Sequence, residues 1–303
     1  MRLLALIPTS LFVASFAACS LPEPPADPAP QDAQPTAEVE PAQPKGFPAI
    51  LASQPADVQA RYNYRHPAET MEFFGVAPGM TVVDVLPGGG WYTKLLLPYL
   101  GDEGKVIGAN YATGMWKLFG YPPERLKELE SWADDWTEGA QEWRDEGDAS
   151  VSAFVLGDVP DSNHGSADVV LFIRALHNMA RFEEQGGFLS TALKNAYDVL
   201  KPGGVVGIVQ HRARDDMPDE WADGSAGYLK ESYVTDMMEA AGFELMGATD
   251  INANDHDQPT TEDFVWRLPP TFQTSRDDQE LQAQMIAIGE SNRMTLKFRK
   301  PTS

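Results

Sequence analysis

The sequence predicts an α/β fold, with a mostly parallel sheet and helices on both faces. Three observations predict it. Short β-branched apolar runs alternate with helix-length segments from about residue 49 to the end. A glycine-rich turn, Leu86-Pro87-Gly88-Gly89-Gly90, directly follows the first of these runs. A second turn, Lys201-Pro202-Gly203-Gly204, precedes the fifth. Strands separated by helices pair in parallel through right-handed crossovers, because a parallel neighbour is reached only through a long connection.

In chain order, Pro67 to Phe74 reads as a helix with proline and acid in its first turn and Gly75 as its stop. Thr81 to Leu86 is a β-branched apolar run of the kind buried on both faces. Trp91 to Leu100 reads as a helix closed by Gly101, and Lys105 to Asn110 as the second strand. Ala153 to Leu156 and Ala167 to Ile173 are the third and fourth. A helix from about Gly187 to Leu200 leads to a fifth strand, Val205 to Val209. A helix from Tyr233 to Ala241 and strands at Phe243 to Ala248 and Met294 to Phe298 complete the domain. The stretch 111–150 breaks the rhythm with four of the seven tryptophans. Trp132 and Trp136, four apart, share a helix face. They either pack on the sheet or wall a pocket.

Composition limits what the chain can do. Its 303 residues carry a net charge of −22, which repels nucleic acid phosphates and excludes DNA or RNA as the expected partner. Cys19 is the only cysteine, so neither an internal disulfide nor a cysteine metal site is available. Met1-Arg2 and the apolar run from Leu3 to Phe16 have the form of a signal peptide over residues 1–18. Phe16-Ala17-Ala18-Cys19 resembles a bacterial lipobox, which implies a lipidated Cys19 and a periplasmic location, with Ser20 after the cysteine favouring attachment to the outer membrane. Residues 19–48 are rich in Pro, Ala, Gln and Glu and read as a linker. The folded domain is expected over residues 49–303.

In a parallel sheet, ligands bind beyond the carboxyl ends of the strands. Glycines there let the backbone approach a ligand, and an acid at the strand end can accept hydrogen bonds from it. Dinucleotide sites use G-x-G-x-x-G, but here Thr93 occupies the third place. The acid before the loop, Asp84, points elsewhere. Asp84, Gly88 and Gly90 resemble the acid-x-G-x-G-x-G signature of class I S-adenosylmethionine-dependent methyltransferases, with Leu86 at the first glycine. Val199-Leu200-Lys201-Pro202-Gly203-Gly204 looks like the turn before their fifth strand. Gly157-Asp158 resembles their adenine-contacting acid, and Leu176-His177-Asn178-Met179 their segment beside the transferred methyl. The stretch around Pro87-Gly88-Gly89-Gly90-Trp91-Tyr92-Thr93 is similar to a group of exported proteobacterial predicted methyltransferases.

The resemblance implies a Rossmann-like methyltransferase fold with a seven-stranded sheet and S-adenosylmethionine as cofactor. It places cofactor contacts at Asp84, Leu86, Pro87, Gly88, Gly89, Gly90, Asn110 and Asp158. Asn110 stands where the family has an acid for the ribose hydroxyls, so charge assistance is missing there. Methyl transfer from a sulfonium needs alignment and exclusion of water more than proton transfer. His177 and His211 are the candidates for a base or for orienting the acceptor, and Arg174 for holding an anionic substrate through a bidentate pair.

The expected function is therefore methyl transfer to a small molecule or a cell-envelope component. The alternative is a non-catalytic exported binding module that keeps the fold, favoured by Leu86 and Asn110. An enzyme of another class would need a motif such as G-x-S-x-G, H-E-x-x-H or a P-loop, and the chain has none of these. Asn254-Asp255-His256-Asp257 is read as a solvated loop, so no metal is expected.

Overall fold

The computed structural model describes residues 46–302. The signal-peptide, lipobox and linker readings lie outside the described residues, apart from the linker's last three positions. Seven strands form one sheet: β1 (Thr81–Val85), β2 (Lys105–Asn110), β3 (Ser150–Val155), β4 (Ala167–Ile173), β5 (Leu200–His211), β6 (Glu244–Thr249) and β7 (Arg293–Arg299). Their spatial order is β3-β2-β1-β4-β5-β7-β6. β1 to β5 run parallel, and β7 is antiparallel to both of its neighbours. The mostly parallel seven-stranded sheet agrees with the fold expected from the sequence.

The sheet is apolar on both sides because helices cover both. Helices Pro67–Phe74, Thr93–Leu100 and Trp132–Gln141 contribute Phe74, Leu95, Leu96 and Trp136 to one core with Val82 and Val106. Helices Phe188–Val199 and Glu231–Ala240 contribute Leu189, Leu193 and Met238 to the other, with Val83 and Val85. Adjacent residues of β1 thus serve opposite layers, as the two-residue period of a strand requires. Trp136 lies against the backbone of Gly108 and stacks on Trp132 at 5.8 Å. Of the two readings of these tryptophans, packing is what the fold uses.

Several boundaries differ from expectation, and three have a clear physical cause or consequence. β3 starts at Ser150, whose N–H bonds Gly104 O at 3.0 Å. The helix expected from Trp91 begins at Thr93. Lys201-Pro202-Gly203-Gly204 lies inside β5 rather than ahead of it. Ala167 pairs with Leu200 and Val169 with Val205, so the intervening residues bulge from the ladder. Hydrogen bonds from Gly203 N to Lys300 O and from Lys300 N to Gly204 O hold that bulge against the chain beyond β7. A local turn signal was captured by a distant segment.

Two segments rise over the C-terminal ends of the central strands: 212–230 after β5 and 250–292 between β6 and β7. Tyr228, Ala222 and Val265 form a small core of their own within them. This cover is docked closely, since a Cβ on Gly224 would stand 2.0 Å from His177 O. Among the described residues no helix is long and apolar enough to cross a membrane.

Candidate functional site

At the ends of β1 and β4 the chain turns through the left-handed region without glycine: Leu86 has φ 61° and Arg174 φ 58°. Such a conformation costs an L-residue roughly 1–2 kcal/mol. The sheet holds both residues there, with Leu86 N bonded to Ala109 O at 2.8 Å and Arg174 N to Val209 O at 2.6 Å. Non-glycine strain of this kind clusters at functional sites. Both residues line the same cavity of about 290 Å³.

That cavity also takes His177 and Asn178 from the turn after β4, His211 from the end of β5, and Ser291 and Arg293 from the start of β7. Trp266, Leu268 and Pro270 from the covering segment form its apolar side. The three residues expected to be catalytic, His177, His211 and Arg174, are therefore brought together. The two histidine rings lie 5.4 Å apart, and Trp266 stands edge-on to His177 at 5.7 Å.

Hydrogen bonds fix the tautomer of His177. Gln210 Nε2 donates to Gly227 O at 3.0 Å, which turns Gln210 Oε1 toward His177 Nδ1 at 3.3 Å. Nδ1 of His177 therefore carries the proton and Nε2 is left as an acceptor. Ser291 Oγ accepts from Arg293 Nε at 3.2 Å and shares a hydrogen bond with His211 Nδ1 at 2.5 Å. Burial lowers the His177 pKa to about 4 and holds His211 well below its usual value, so both rings are neutral. Ser291, engaged on both sides, is not a free nucleophile.

Behind the cavity lies a cluster of cations. Glu290 is buried and accepts from Arg61 and Arg293, with Arg65 at 3.8 Å. Burial opposes ionisation of Glu290, but Arg293, Arg65 and Arg61 outweigh it and hold its pKa down. Arg65 also lies over the Trp91 ring at 4.3 Å. Burial, with Arg293 as the nearest like charge, brings the Arg174 pKa down to about 10. No acceptor among the described residues pairs with its guanidinium.

The expected cofactor contacts lie on the other side of β1, and only Leu86 touches the cavity. Asp84 is 3% exposed and accepts from Thr93 Oγ1 at 2.8 Å, and burial raises its pKa to about 6. Threonine in the third glycine position supplies that hydroxyl, so the acid is occupied inside the protein. Pro87 is buried, and Gly88 and Gly89 are exposed. Gly90 meets the Trp143 ring, 2.3 Å from where a Cβ would stand, so its close approach serves a tryptophan. Asn110 is buried with its Oδ1 accepting from Tyr111 N at 2.8 Å. Asp158 is exposed on the turn after β3.

Tyr111 decides whether S-adenosylmethionine fits here. Its ring starts at the end of β2, and its hydroxyl donates to Ala175 O, just past β4, at 3.1 Å. β1 lies between those strands, so the ring crosses the edge where the glycine turn begins. Tyr111 is 2% exposed and backed by Trp116 and Phe119 at 5.3 and 6.3 Å. Asn178 Nδ2 donates to its hydroxyl at 3.2 Å. With this space filled and with Asp84 and Asn110 both engaged, the residues present do not fit the cofactor.

Asn254-Asp255-His256-Asp257 is not the solvated loop its polarity suggests. Asp257 is 1% exposed and binds Arg267, Tyr228 and Asn292 N, while Asn254 Nδ2 donates to Ile288 O and Glu290 O. His256 and Asp255 are exposed. No group of three or more candidate metal ligands occurs among the described residues.

No protein-family model matches this chain, and neither does any curated protein. Solved structures do match in fold. Geranyl diphosphate C-methyltransferase from Streptomyces coelicolor A3(2) is 15% identical, with a TM-score of 0.48, over 83% of this chain and 87% of its own. An arsenic(III) S-adenosylmethionine methyltransferase from Chlamydomonas reinhardtii is 17% identical, with a TM-score of 0.45, over 86% and 74%. The cyclase SpnF is 16% identical, with a TM-score of 0.47, over 79% and 81%. These are likenesses in outline, and the architecture of the chain rests on its own sheet, seven-stranded and parallel but for β7.

Proposed function

We propose that this protein is a small-molecule binding module on a methyltransferase-like scaffold, with its ligand in the cavity at the ends of β1, β4 and β5. The observation that supports this reading is Tyr111, whose buried, doubly hydrogen-bonded ring lies where a cofactor would cross β1. The full chain titrated calorimetrically with S-adenosylmethionine and S-adenosylhomocysteine should give no binding at millimolar ligand. Micromolar affinity for either compound overturns the reading.

S-adenosylmethionine-dependent methyl transfer to a small molecule or envelope component is the second reading. The exposed Gly88-Gly89 turn favours it, as do His177 and Arg174 beside it at the end of β4. The same titration decides between the two. We further propose that the leader exports the chain and that Cys19 is lipidated, attaching it to the membrane. Palmitate labelling in expressing cells should be lost in Cys19→Ala, and label that persists ends that proposal.

A further inference from the structure

The cavity is charged in a way the fold does not require. Arg61, Arg65, Arg174 and Arg293 gather around a single carboxylate, Glu290, in a chain whose net charge is −22. Arg61, Arg65 and Arg293 spend their charge on Glu290. Arg174 makes no such pair, and its half-buried side chain opens on the cavity. No Asp or Glu lines the cavity, and the two histidines beside Arg174 are neutral. The backbone of Arg174 is fixed by β5 through Val209 O, which sets the point at the cavity rim from which the side chain springs.

We propose that the cavity binds a small anionic ligand through Arg174. A carboxylate or phosphoryl group faces the guanidinium fork, and an apolar portion lies against Trp266 and Leu268. The inference rests on the reading that this protein's ligand occupies this cavity. The charged part of the lining is cationic: Arg174 has five N–H groups and no acceptor, and Arg293 belongs to the same lining. His177 Nε2 is an acceptor beside them, so a hydroxyl or amine on the ligand pairs there. A volume of about 290 Å³ suits a compound of modest size rather than a polymer.

The test uses the full chain with three probes that share an aromatic body: phenylphosphate, phenylacetate and benzyl alcohol. Calorimetry and thermal unfolding report binding, since a ligand that prefers the folded state raises Tm. At least one anion should bind, with benzyl alcohol at least tenfold weaker, and the tighter anion names the headgroup. Arg174→Met should weaken anion binding at least tenfold and leave the ligand-free Tm within about 2 °C of wild type, because the half-buried side chain makes no pair within the protein. Arg174→Lys keeps the charge without the fork and should fall between the two.

Equal binding of benzyl alcohol, or anion binding unchanged in Arg174→Met, overturns the proposal. So does the absence of anion binding by wild-type protein that unfolds cooperatively. If S-adenosylmethionine binds and the anions bind as described, the binding-module reading falls while the anion site stands as the place of the acceptor. If neither cofactor nor anion binds, only the anion site falls.

Discussion

The C-terminal edge of the sheet divides at β1 into two halves built on opposite principles. On the β2 side, polar groups beside the glycine turn bond inside the protein and aromatic rings pack around them: Asp84 Oδ2 with Thr93, Asn110 Oδ1 with Tyr111 N, and the Tyr111 hydroxyl with Ala175 and Asn178. On the β5 side, Arg174 and Nε2 of His177 are left without protein partners and face a cavity. The architecture puts its crevice where the strand order reverses, between β1 and β4. One half of that crevice is packed as core and the other is left open as a cavity. The same strand ends can therefore be filled on one side of β1 and open on the other.

The largest test of that contrast is Tyr111→Ala. If the ring is core, its removal should cost about 3–5 kcal/mol, as for other buried aromatics, measured by urea unfolding. A loss under about 1 kcal/mol would make Tyr111 a loose cover over an open cleft and erase the difference between the halves.

The two halves should also answer pH in opposite senses. Asp84 keeps its proton up to about pH 6 in the folded protein, against a usual value of 3.8, so its burial costs nothing in acid. Stability should fall as pH rises from about 4 to 6, by up to about 3 kcal/mol for this group. His177 is held neutral down to about 4 against a usual value of 6.5, so the unfolded chain takes up a proton first. Stability should fall as pH drops from 6.5 towards 4, again by up to about 3 kcal/mol. Urea midpoints across pH 4–7 for wild type, Asp84→Asn and His177→Gln separate these contributions. Each substitution should remove its own slope, and flat difference curves would mean that neither group titrates as its surroundings dictate.

Gly90→Ala comes next. Its Cβ would meet the Trp143 ring at a φ of 78°, so a loss of about 2 kcal/mol is expected by chemical denaturation. Trp143→Ala in the same chain should recover part of that loss, which a ligand-facing glycine would not show. The smallest effect belongs to Asp158→Ala. This exposed side chain has no partner among the described residues, so stability should stay within about 0.5 kcal/mol and anion binding should not move.

The strands were legible because each carries a local signal: Thr81 to Val85 and Ala167 to Ile173 are β-branched runs bounded by turns. His177, His211 and Arg174 were legible because each ends a parallel strand or begins the turn after it. Arg293 and Ser291 were not, because their partnership with His211 spans 80 residues and no local pattern announces it. An arginine at the head of the last strand, directly before Met294, was the available hint. Tyr111 was missed although it directly follows the asparagine that departs from the family pattern, because its role depends on reaching Ala175 across β1. Asp257 misled for the same reason, since its burial is set by Arg267 and Tyr228 and not by its polar neighbours.

β7 enters the sheet between β5 and β6, although it follows both in the chain. Its antiparallel course brings Arg293 opposite His211, at the edge where the parallel strands end. Ser291 and Arg293 thus complete a cavity wall whose other residues come from the parallel strands and the covering segment. Without β7, β5 and β6 share no neighbour and the cavity lacks that wall. Closure of the cavity is therefore tied to the docking of β7, so the sheet and the cavity are completed by the same strand.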